Sequence, residues 1–68
     1  MLCFVIIREG VTYDERLMFQ HQVVTEGGSI VDEQDEGIAL TIDIGPHQYD
    51  RIKGRAAVEH VEIVGRSS

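Results

Sequence analysis

The chain of 68 residues contains one cysteine, one proline, no tryptophan and six basic residues. Each shortage excludes something. A lone thiol, Cys3, cannot form an intrachain disulfide. Arg8, Arg16, Arg51, Lys53, Arg55 and Arg66 are too few and too scattered to neutralise a phosphate backbone, so direct nucleic-acid binding is not expected. The same shortage disfavours anionic membrane surfaces. Only Arg51, Lys53 and Arg55 fall close together, as one local basic spot. The opening run MLCFVII is far shorter than the roughly 20 residues a bilayer span needs. No basic flank precedes it, so it is not a secretory signal, and the cytoplasm is the expected location.

What is present is an acidic and moderately apolar chain. Hydrophobic residues make up 43% of it and the net charge is −6. A core is therefore expected, but a thin one, because burial and ordering entropy nearly cancel at this length. With no disulfide and no ligand set at structural-metal spacing, self-association into a homo-oligomer is the expected remedy. A single domain over residues 1–66, with a frayed end at 67–68, accounts for the chain. There is no repeat, linker or low-complexity tract.

The stretch from Gly37 to Gly54 is the most informative. Ile38, Leu40, Ile42 and Ile44 alternate with Ala39, Thr41 and Asp43, the signature of a half-buried strand. Gly45 breaks it and Pro46 suits a first helical residue. Tyr49, Ile52 and Ala56 follow at near-helical spacing, and Gly54 is a natural stop, which predicts a short helix over 46–53. Leu2 to Ile7 are apolar at every position, the pattern of a strand covered on both faces. Ala57 to Val64 reads as the last strand.

Residues 12–24 carry two signals. Thr12 with Glu15 makes a capping box, which favours a helix start. Leu17, Phe19, His21 and Val23 alternate with Met18, Gln20, Gln22 and Val24, which favours a strand. Gly27-Gly28 resembles a two-residue hairpin turn, which would pair 17–25 with 29–33. The strand reading is preferred. The expected fold is then mainly β: five antiparallel strands in a meander that curls into a small barrel, with one short helix before the last strand. That order resembles the SH3-like barrels in architecture, although the aromatic residues of their peptide groove are not evident. The alternative is an open α+β sheet with a helix near 12–26.

The densest charge feature is the acidic turn Asp32, Glu33, Asp35 and Glu36. It suits docking on a basic partner or weak cation binding, or else is a solvated loop. It lacks the alternate-position ligands, central Gly and distant Glu of an EF-hand loop. Tyr49 and Arg51, within the basic segment, are the second candidate contact, although Tyr49 also suits a packed position with the cations near a helix C-terminus. His21, His47 and His60 match no metal-ligand spacing, and Cys3 has no basic neighbour to activate it. There is no phosphate-binding glycine loop. Ser29 and Ser67 lack a local Ser/His/Asp arrangement. Asp43 and Asp50 would form a catalytic pair only if the fold brought them together. No catalytic residue, metal or cofactor is therefore expected. The leading reading is a non-catalytic, acidic protein-binding or regulatory module. It would dock on a basic protein surface, or act as an inhibitor that mimics nucleic-acid charge as small phage proteins do. The competing reading is a structural protein whose barrel edges pair with copies of itself.

Overall fold

In the computed structural model, residues 1–65 are described; Arg66 and the expected frayed end at 67–68 lie outside them. The elements run β1 (Leu2–Ile7), α1 (Tyr13–Thr25), β2 (Ser29–Gln34), a 3-10 turn (Asp35–Gly37), β3 (Ala39–Asp43), α2 (Pro46–Lys53) and β4 (Val58–Gly65). The four strands form one antiparallel sheet in the order β2-β3-β1-β4. Element order and sheet order together are those of the ferredoxin-like plan, in which two split β-α-β units interleave. The expected five-stranded barrel is overturned: the described residues hold four strands in an open sheet, with two helices. The open α+β sheet, the alternative reading, is the architecture found.

The error lies in residues 17–25. They belong to α1, whose capping box is complete. Thr12 Oγ1 accepts from the Glu15 backbone N–H at 3.2 Å, and Glu15 Oε1 accepts from the Thr12 N–H at 3.3 Å. The apparent period of two is two helical pairs interleaved. Phe19 and Val23, four apart, are buried; Leu17 and His21, also four apart, face outward. Gly27-Gly28 is a helix stop and not a hairpin. Gly27 has φ of +101°, its N–H reaches Val24 O at 3.1 Å, and the Gly28 N–H reaches Val23 O at 2.9 Å. These two bonds form a Schellman motif. Gly28 has a second duty, because a Cβ there would lie 2.9 Å from both Gln48 Oε1 and Ile44 Cγ2.

The core is built on one side of the sheet. Cys3, Val5 and Ile7 of β1 pack with Leu40 and Ile42 of β3, with Ile44, with Val58 of β4, with Phe19 and Val23 of α1, and with Ile52 of α2. Both helices therefore cover the same face. Gln48, the one buried polar side chain among the described residues, donates to Val23 O at 2.9 Å and ties α2 to the end of α1. The expected helix at 46–53 matches α2, and the strand expected at 38–44 is found over 39–43, with Leu40 and Ile42 inward and Asp43 outward. Ile38, expected inward, instead closes the 3-10 turn and is exposed, and Ala39, expected outward, is buried.

Candidate functional site

Residues opposite one another in a ladder project from the same face. The register of the sheet therefore fixes what stands on the face that carries no helix. The middle row crosses Glu62, Phe4, Thr41 and Asp32. One neighbouring row crosses His60, Ile6, Ala39 and Gln34, and the other crosses Gly65, Leu2, Asp43 and Ser29. The centre is thus Leu2, Phe4 and Ile6, all only partly buried and all on β1, an inner strand. Acids flank it on both sides, with Glu62 on β4 and Asp32 and Asp43 toward β2.

Of these flanking groups Asp43 is ion-paired, and Glu62 and Asp32 are only lightly engaged. Asp43 Oδ1 pairs with the Met1 amine at 3.0 Å. Glu62 lies 4.0 Å from His60 Nε2, with both side chains more than half exposed. Asp32 Oδ2 accepts only a long bond, 3.3 Å, from Gln34 Nε2. Leu2, Phe4 and Ile6 are absent from the buried cluster on the helix side. An antiparallel sheet with one solvated face ordinarily alternates apolar-in with polar-out. Here β1 is apolar on both faces and covered on one.

The residues singled out as an acidic turn do not stay together. Asp32 stands on the helix-free face. Glu33 pairs across from the buried Leu40 and is bonded by Gln20 Nε2 at 2.9 Å from α1. Asp35 and Glu36 form the turn proper, with φ of +54° and +57°. The Glu36 carbonyl is held by Arg16 Nε at 2.9 Å. Tyr49 is half-buried against the core, with Lys53 Nζ 5.4 Å from its ring centroid. Arg51 pairs with Glu26, just past the end of α1, at 3.6 Å. Arg16 and Glu26 belong to opposite ends of α1, so Arg51 and the turn at 35–37 are separated by most of that helix's length.

Cys3 is fully buried, and burial pushes its thiol above the ordinary range. It is inert toward nucleophilic chemistry at neutral pH. His21, His47 and His60 stand on α1, α2 and β4, all exposed. Among the described residues no group of three or more His, Cys, Asp or Glu could hold a metal ion, and no helix is long and apolar enough to cross a membrane. Sequence reasoning missed the helix-free face as a site, although its signal was present. The unbroken apolar run at 2–7 calls for two covers, and the described residues supply one.

Comparison of the chain with protein-family models, curated proteins and solved structures finds no match.

Proposed function

We propose that this chain is a small acidic, non-catalytic protein-binding module whose helix-free sheet face takes a basic segment of a partner protein. One observation carries the reading: β1 is apolar on both faces, and among the described residues only the Cys3–Val5–Ile7 face has a cover. An uncovered apolar strip rimmed by polar residues is the ordinary mark of an interaction surface. The rim selects the partner. Glu62 on one side and Asp32 and Asp43 on the other favour Lys and Arg at the edges of the contact and apolar side chains over Phe4. A nucleic acid meets like charge there. So does a second copy laid face to face, which would bring the same acids against each other.

The competing reading, self-assembly through barrel edges, loses its premise with the barrel. The edges of the open sheet are also blunted. β2 carries Asp32 and Glu33 and a register shift between Ile30 and Asp32; β4 carries Glu59 and Glu62 and register shifts at both ends. Bulges and edge charges are common devices against strand addition.

The test uses two synthetic amphipathic peptides, one alternating leucine with lysine faces and one with glutamate in place of lysine. Fluorescence anisotropy should show binding of the lysine peptide alone, weakening as salt rises. Phe4→Ser, with folding confirmed by its melt, should lose at least about tenfold in affinity. Glu62→Lys, at an exposed rim position, should also weaken binding. Equal binding of both peptides, or of parent and both variants, overturns the proposal.

A further inference from the structure

The apolar strip on the helix-free face is narrow. Leu2, Phe4 and Ile6 all come from β1. Phe4 has Glu62 of β4 on one side and Thr41 of β3 on the other. Strands lie about 4.8 Å apart, so polar side chains begin one strand away in both directions. Along the strand, Leu2 to Ile6 spans about 13 Å. Both edges of β1 are already bonded, to β3 and to β4. The strip therefore offers no free backbone, and an occupant must satisfy its own hydrogen bonds. Among the described residues, the three rows hold Asp32, Asp43 and Glu62 and no Lys or Arg.

We infer that the occupant is an amphipathic helix of the partner protein, laid along β1 with an apolar stripe two turns long and Lys or Arg on both flanks. The inference rests on the sheet-face reading and gives that partner its form. Width selects a helix first. A second sheet buries a face several strands wide, whose inner residues interdigitate with its own. The strip has the width of one strand, which suits the stripe of a single helix. Length agrees, since positions i and i+7 of a helix lie about 10.5 Å apart, within the span from Leu2 to Ile6. Backbone bonding agrees as well. A helix pairs its own N–H and C=O groups, whereas a lone strand lying across a sheet face leaves its own unpaired. The chain's own helices cover the opposite face in this manner. α1 does so through Phe19 and Val23 and α2 through Gln48 and Ile52, each pair four residues apart. The charges set the flanks. Glu62 lies on the β4 side of the strip, and Asp43 and Asp32 lie on the β3 side. A helix with cations on one flank alone would leave one of these sides unmatched.

Two peptides of identical leucine and lysine content test it, one with leucine at helical spacing and one in strict alternation. Fluorescence anisotropy at fixed salt should show the helical peptide binding at least about tenfold tighter. Proline at a solvent-facing position in its middle should cost at least about tenfold in affinity, because proline breaks the helix. Glu62→Lys should weaken binding of the helical peptide, and Leu17→Glu, on the exposed side of α1, should not. Equal affinity of the two peptides, tighter binding of the alternating one, or indifference to proline overturns the helix and leaves the acidic sheet face standing. Loss through Leu17→Glu with Glu62→Lys neutral overturns the seat on the sheet. If neither peptide binds, or a helical peptide with glutamate for lysine binds equally, the sheet-face reading falls and this inference with it.

Discussion

Ile42 and Asp43 are neighbours in sequence that meet opposite surroundings. Ile42 is fully buried between Cys3 and Ile30 in the ladder. Asp43 is on the helix-free face, and its side chain, 36% exposed, pairs with the Met1 amine. Ile42→Asp places an unpaired carboxylate in the core, which costs several kcal/mol and is comparable with the whole stability of so small a domain. Asp43→Asn removes a solvent-screened ion pair and costs under about 1 kcal/mol. Denaturant melts should show the first variant unfolded and the second close to the parent. Similar melts for both would contradict the facing of β3. This alternation was legible in the sequence because a period of two on an inner strand maps directly onto inside and outside. Cys3 supplies a second test. Burial raises its thiol pKa, so the native state holds that proton to higher pH than the unfolded chain. Its contribution is fully present below the unfolded thiol's value, about 8.5, and is lost as pH rises through the higher native value. Stability measured from neutral to alkaline pH should fall more steeply for the parent than for Cys3→Val. Parallel profiles would show that the thiol is not the cause.

At the scale of elements, the sequence separated helix from strand correctly wherever one signal stood alone. The strands at 2–7 and 39–43 and the helix opened by Pro46 are of this kind. It failed where two helical pairs, Leu17/His21 and Phe19/Val23, overlapped to imitate alternation. The capping box was the better guide, because it satisfies backbone donors that a strand would not leave free. Thr12→Ala removes the acceptor for the Glu15 N–H and should cost about 1 kcal/mol. The measurement is the denaturation midpoint, with Thr12→Ser as the control that retains the cap. Equal loss in both variants would mean that the hydroxyl bond is not what starts α1. The turn at Asp35 and Glu36 shows a different limit. Its left-handed backbone depends on the sheet that closes around it, and no local residue pattern announces that.

For the whole molecule, one wrong element changed the architecture. A strand at 17–25 makes a five-stranded meander; a helix there lets β3 insert between β1 and β2 and leaves the sheet open. Sheet order is a long-range property, and strand spacing alone does not encode it. The candidate surface was hidden for the same reason. Leu2, Phe4 and Ile6 come from one strand, but Asp32, Asp43 and Glu62 join them only through the register. Binding at the sheet face should weaken as salt rises, since charge favours that partner. Titrating the lysine–leucine peptide into isotope-labelled protein, with amide chemical shifts read residue by residue, tests the central claim most directly. Shift changes should centre on Leu2, Phe4, Ile6, Thr41 and Glu62 and leave the outer face of α1 undisturbed. Changes confined to α1 or to the turn at 35–37, with none on β1, would contradict the account.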